Sequence, residues 1–353
     1  MIVNIQFLRA IAALLVVFYH TSDHFFVVGG NTSGNIFSLF SKIGYIGVDI
    51  FFVISGYIMW ITTKKLHSYI GAKKFIYARL TRIYLTYWFF LSFMIFFYHR
   101  SLYNFDLVGS IFLTVSSPSK LLLQVAWTLQ YELYFYLFFT FLLFFRRKYL
   151  IKILSIFFIF IIVMQVYASI YVDVYNKAIF NEASTFWTFW TSPFILEFLM
   201  GSFVGYYFDK YRIKHWIPLF LTILSLLIVA FWFQKNYLDG SLVEGYFLRE
   251  RVFFLGLFSM GILALLIEFN KRNIILFPKF SLLLGGASYS LYLSHNIILL
   301  FIYQIGIRDA IGAYGKNQLF FMLLIILLII NYSIVHYLFI EKKVMSYAKK
   351  FQP

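Results

Sequence analysis

I-Q-F-L-R-A-I-A-A-L-L-V-V-F-Y-H-T-S-D-H-F-F, Ile5 to Phe26, is a run of about 20 residues long enough to cross a hydrocarbon layer of about 30 Å. Its reading decides the fold, because stretches of similar length and character recur to the end of the chain. Hydrophobic residues make up 62% of the 353 positions and charged residues 12%, and mean hydropathy is +0.83. Soluble domains average about 45–50% apolar and 25% charged residues. A water-soluble core has no use for so much apolar surface, so the chain is built for a membrane. The segment lacks a basic leader and a small-residue cleavage site, and is expected to stay as a helix.

Working outward, ten apolar segments lie at about 5–26, 44–63, 80–99, 126–145, 149–171, 187–207, 215–233, 247–267, 281–303 and 318–340. The expected fold is all-α, with about ten transmembrane helices. Basic residues collect in cytoplasmic loops. With the N-terminus inside, 20 of the 30 Lys and Arg fall on the inner side and nine on the outer, Arg9 lying within the first segment. The outer set is Lys42, Arg100, Lys120, Lys177, Lys235, Arg249, Arg251, Arg308 and Lys316. Both termini are therefore expected in the cytoplasm. The longest loop, about 100–125, is too short to fold alone, so residues 1–353 are read as one membrane domain with no appended soluble domain.

The net charge of +16 does not make a nucleic-acid binder, because the cations sit in short loops and not on one face of a soluble domain. There is no cysteine, which excludes disulfides, thiolate metal sites and cysteine nucleophiles. No metal is expected.

Ionisable groups inside membrane segments are expensive, and each is a functional candidate by default. They are Arg9, His20, Asp49, Glu132, Glu197, His295 and His336. Arg9 and His20 are eleven residues apart, about three helical turns plus 20°, so they share a face with a rise of about 16 Å between them. Asp49 in G-V-D-I-F-F-V-I-S-G-Y, Glu132 in W-T-L-Q-Y-E and His295 in S-Y-S-L-Y-L-S-H come out at depths similar to His20, about five to eight residues below the outer boundary. At the opposite side Arg79 and Arg82, spaced i and i+3 in A-R-L-T-R-I-Y, form a basic rim with Arg9, Lys73 and Lys74. Guanidinium groups bind phosphates bidentately, so the rim suits a polyphosphate anion.

Taken in order, the Arg9-x10-His20 pair, the Gly47 to Tyr57 run, A-R-L-T-R-I-Y, W-T-L-Q-Y-E-L and S-Y-S-L-Y-L-S-H resemble integral-membrane acyltransferase family 3, across about residues 5 to 296. The resemblance implies transfer of an acyl group, usually acetyl from cytoplasmic acetyl-CoA, to a hydroxyl of a cell-surface or lipid-linked glycan at the outer face of a bacterial inner membrane. For that chemistry a neutral imidazole with pKa near 6.5 suits the general base, and His20 is the candidate. Asp49 or Glu132 would orient it. Trp127, Tyr289, Ser290, His295 and backbone near Ser55 and Gly56 are candidates for acceptor contact or oxyanion donation. Arg9, Arg79, Arg82 and Lys73 would hold the nucleotide phosphates. Gly56, Gly285 and Gly286 read as helix-packing positions, and Glu197 and His336 as structural. The rival class, a transporter or flippase of lipid-linked sugars, would be expected to show inverted repeats and broken helices, and no internal symmetry is visible.

Overall fold

The computed structural model describes residues 2–26, 44–171, 189–237, 251–307 and 318–353. Its long helices are α1 (Val3–Phe26), α2 (Ile46–Thr62), α3 (Tyr69–Phe97), α5 (Trp127–Leu142), α6 (Arg147–Tyr171), α7 (Phe194–Lys210), α8 (Trp216–Tyr237), α9 (Leu257–Lys271), α10 (Pro278–Gln304) and α11 (Gln318–His336). Each overlaps one of the ten apolar segments. Among the described residues there is no strand. Short helices α4 (Leu107–Phe112) and α12 (Lys342–Ala348) complete the set, and single π turns at Val252–Gly256 and Tyr337–Glu341 precede α9 and α12.

Five helical stretches are long and apolar enough to span a membrane, namely Val3–Ser22, Tyr69–Phe97, Arg147–Tyr167, Val252–Lys271 and Leu319–Phe351. Shorter apolar helices lie at Ile46–Thr62, Phe194–Phe208 and Trp216–Ala230. Helices α5 and α10 belong to neither group, and the physical reason is their cargo: α5 carries Thr128, Gln130 and Glu132, and α10 carries Ser288, Ser290, Ser294 and His295. The bundle is inverted relative to a soluble protein. Ile156, Ile159 and Val163 on α6, Leu221 and Ile228 on α8, and Phe320, Leu327 and Leu328 on α11 are exposed, whereas Arg9, Asp49, Glu197 and His295 are buried. Outward apolar faces on that scale need lipid around them. The described helices are those of a multi-pass membrane protein.

Two close helix pairs set the frame. Helix α1 lies along α10, and α2 along α7. In the second pair a Cβ on Gly56 would strike the Phe198 carbonyl and one on Gly201 the Val53 carbonyl, while Ser202 donates to the Gly56 carbonyl at 3.1 Å. Small residues let the backbones touch, as in membrane helix pairs generally. Gly285 does the same for α10 against Gln6 of α1. The packing role read for Gly56 and Gly285 is therefore their geometry.

The 100–125 connection is more than a loop. Asp106 caps α4 through the Gly109 amide at 2.8 Å, Tyr87 of α3 donates to the Ser110 carbonyl, and Gln130 of α5 donates to the Thr114 carbonyl. Leu121, Leu122 and Leu123 bury fully in the core. The connection is thereby pinned against α3 and α5.

Of the cations counted as outer, Lys42, Lys177, Arg249, Arg308 and Lys316 lie outside the described residues. Arg251 needs a correction. It was counted with the outer loops, but it stands at the head of the π turn before α9, 4% exposed, inside the bundle.

Candidate acyl-transfer site

Two adjoining spaces lie between α1, α2, α3 and α10. The larger is a cleft of about 1100 Å³ bounded by Gln6 and Arg9 of α1, Ile58 and Thr62 of α2, Arg79 and Arg82 of α3, and Glu341 and Lys349 at the C-terminal end. The smaller is a narrow chamber of about 70 Å³, lined by Arg9, Ser55, Arg79, Arg82, Thr128, Glu132, Ser288, Tyr289 and Tyr292 among others. Arg9, Arg79 and Arg82 line both spaces and so stand where the cleft and the chamber adjoin.

The arginines predicted to act together do converge. Arg9 and Arg79 are buried; Arg79 donates to Thr62 at 2.9 Å and lies over the Phe75 and Tyr136 rings. Helix spacing explains their common face: 75, 79 and 82 follow one stripe of α3. Lys73 does not join them. It is about two and a half turns from Arg82, hence on the opposite face; it is exposed, with Nζ 4.5 Å from the Tyr69 ring, and Lys74 lines the cleft instead.

Glu132 also departs from its expected place. It sits among the arginines, accepting hydrogen bonds from Ser55 at 2.9 Å and Tyr136 at 3.3 Å, in the chamber that neither His20 nor His295 lines. Its charge partly balances the guanidinium cluster.

Asp49 is committed elsewhere. Arg251 Nε and Nη2 donate to its two carboxylate oxygens at 2.9 and 2.7 Å, a buried bidentate pair, with the guanidinium over the Tyr45 and Phe194 rings. Glu197 is buried next to it. The sequence reading had no sign of this pair, because Arg251 falls at a segment edge where a loop cation is the ordinary reading; its spacing from Asp49 of about 200 residues carries no local signal.

His20, at the other end of the α1 stripe, is half buried and stacks on His295 of α10, ring centroids 5.2 Å apart and planes 28° from parallel. Tyr19 meets His20 edge-on, and Tyr292 meets His295 the same way at 5.8 Å. Tyr292 is the hinge of the arrangement, because its ring also lines the chamber. Its hydroxyl donates to the Val125 carbonyl and accepts from Thr128, both at 3.0 Å, which holds the ring as a partition between chamber and histidine pair.

Of the remaining candidates, Tyr289 lines the chamber, with its hydroxyl donating to the Ile83 carbonyl at 3.0 Å. Trp127 packs among Phe52, Tyr131 and Phe194, so that its neighbour Thr128 faces the chamber. Ser290 turns to the other side of α10, where its hydroxyl lies 2.7 Å from His336 Nδ1 and 2.5 Å from Glu341 Oε2. In a nucleophile triad the imidazole stands between serine and carboxylate; here the serine stands between the other two. That order suits a strut tying α10 to the end of α11, and it withdraws Ser290 from the oxyanion candidates.

The family model described as an acyltransferase domain, that of acyltransferase family 3, matches residues 2–337, nearly the whole chain. The chain belongs to this acyltransferase family. Among curated relatives, the acyltransferase is similar to the exopolysaccharide production protein ExoZ of Rhizobium meliloti (strain 1021), 25% identical over 283 residues that cover 77% of this chain and 81% of that protein. No solved structure matches the acyltransferase. Family membership makes the chain an acyltransferase.

Proposed function

We propose that the protein transfers an acyl group, in the first instance acetyl, from cytoplasmic acetyl-CoA to a hydroxyl of a cell-surface or lipid-linked glycan at the outer face of a bacterial inner membrane. In this reading about ten helices span the bilayer with both termini inside, as the bias of 20 inner against nine outer cations favours. The observation that carries it is that a wide, arginine-floored cleft and a narrow chamber share Arg9, Arg79 and Arg82, and that the chamber reaches Tyr292, whose ring meets His295 of the stacked His20–His295 pair.

The residues suit such a donor. Three guanidinium groups where cleft and chamber adjoin fit a diphosphate, and the small volume beyond them fits the slender thioester end of the donor better than a sugar. On the acceptor side His20 takes the proton of the attacking hydroxyl, and the new ester forms as the thioester carbon–sulfur bond breaks. The proton returned to solvent by His20 balances the one taken up by the departing thiolate. Stacking on His295 fixes the His20 ring plane. Chamber donors near the reacting carbonyl are the hydroxyls of Thr128 and Ser288, both turned at present to protein acceptors.

The test is His20→Ala, measured as acetylation of the producing strain's surface glycan by mass, 42 Da per acetyl group being a constant of the chemistry. Transfer is expected to fall by the 10²- to 10⁴-fold typical of a lost general base, with the protein still inserted. Unchanged acetylation removes His20 from the reaction. A transporter would leave the mass of the glycan units unaltered in either strain.

A further inference from the structure

The last helix builds one wall of the cleft. Lys342, Met345, Ser346 and Lys349 all line it, and their spacing of i, i+3, i+4 and i+7 is a single stripe running along α12 into the 3-10 turn that follows it, Lys349–Phe351. The helix is held in place by contacts to α3: Tyr77 donates to the Ala348 carbonyl at 2.9 Å, and Gln352 donates to the Lys74 carbonyl at 3.2 Å. The π turn at Tyr337–Glu341 inserts one residue ahead of it, which rotates the following stripe toward the cleft. Lys343 and Lys350, off the stripe, lie over the Phe339 and Tyr347 rings. Residues 342–349 also lie beyond the stretch matched by the family model.

The cleft's charges are sorted by depth. Arg9 and Arg79 are buried at its floor, whereas Lys74, Lys342 and Lys349 are exposed at its rim. The one carboxylate in the lining, Glu341, has an oxygen tied back to Ser290. A coenzyme A ester is ordered in the same way: thioester arm, then diphosphate, then the ribose with its separate 3′-phosphate. With the arm in the chamber and the diphosphate on the buried arginines, the next anionic group along the molecule comes to the exposed lysines.

We propose that Lys342 of α12 and Lys349 of the turn after it recognise the 3′-phosphate of the donor nucleotide, so that the C-terminal segment distinguishes coenzyme A from its 3′-dephospho form. This rests on the donor reading above. The experiment uses the full chain in detergent and compares binding of coenzyme A with that of 3′-dephospho-coenzyme A, for wild type and for Lys342→Ala/Lys349→Ala. Wild type is expected to prefer coenzyme A by about tenfold or more, the lower end of what charge-assisted hydrogen bonds contribute. The variant is expected to bind both forms alike, at the wild-type affinity for the dephospho form. A preference that survives in the variant overturns the assignment, as does an equal loss for both ligands. Loss of a phosphatidylglycerol effect on the protein with the nucleotide preference intact also overturns it, and gives the lysines to lipid headgroups. Wild type that binds neither nucleotide sinks the donor reading itself, and the two failures are thereby told apart.

Discussion

Two groups of buried charge lie on either side of α2, and they differ in stoichiometry and in access. Around Asp49, carboxylates outnumber cations: Asp49 and Glu197 share Arg251, both Asp49 oxygens are used, and Asp49 and Glu197 are completely buried. Around Arg9 the ratio is reversed, three guanidiniums to Glu132, and the group fronts open space. Charge placed in a low-dielectric interior is costly unless matched. The sealed, bidentate Asp49–Arg251 pair holds helices together even with Glu197 beside it; an excess of cations facing a cavity is arranged for an anion that the protein does not itself supply. The sequence shows Arg9 and Asp49 as equivalent buried charges, and the contrast arises entirely from their partners.

The largest effect should come from breaking the sealed pair. Arg251→Ala strands the Asp49 carboxylate beside Glu197, and the expected destabilisation is about 3–5 kcal/mol. It is read as lost yield of folded protein and a lowered melting temperature in detergent. Asp49→Leu/Arg251→Met, which removes both charges, should recover most of that stability and, because neither residue touches the chamber, most of the acyl transfer. If Arg251→Ala instead melts like wild type and loses only activity, the division between the two clusters is wrong and Arg251 belongs with the catalytic groups.

Arg82→Ala tests the other half. Its side chain is partly exposed at the passage, and no protein carboxylate forms an ion pair with it among the described residues. Stability should change by no more than about 0.5 kcal/mol. Donor affinity should drop about 10- to 100-fold, as for the loss of a charge-assisted contact of about 1.5–3 kcal/mol, with acceptor affinity unchanged. Coenzyme A that protects the variant from heat as well as it protects wild type would remove Arg82 from the donor site. Raising the salt concentration should weaken donor binding in wild type more than in the variant.

What the sequence disclosed follows the range over which its signals act. Helix positions came from local apolar runs, so all ten segments coincide with helices, and the Arg79–Arg82 and Arg9–His20 alignments came from the helical period. Depth along a helix was also legible, which is why His20 and His295 were expected at one level and do meet. Rotation of one helix about its axis relative to another was not. A difference of one residue decides that Thr128 and not Trp127 faces the chamber, that Lys74 and not Lys73 faces the cleft, and that Ser290 turns away from Tyr289's side of α10. Pairings across hundreds of residues, Arg251 with Asp49 and Glu341 with Ser290, left no mark on spacing.

The smallest effect separates the two duties of Tyr292. Tyr292→Phe keeps the ring that lines the chamber and meets His295, but deletes the hydroxyl that bonds Val125 and Thr128. The buried Val125 carbonyl has a further donor in Thr128 at 3.2 Å, so it is not abandoned, and the cost in stability should be about 1 kcal/mol. Transfer should stay within about threefold of wild type, which at about 1.4 kcal/mol per tenfold is a change of about 0.65 kcal/mol in the barrier. Tyr292→Ala, which removes the partition, should instead let water reach the thioester and raise coenzyme A release without acceptor. Release that stays coupled to acceptor in the alanine variant would mean that the boundary between chamber and histidine pair is made by something other than Tyr292.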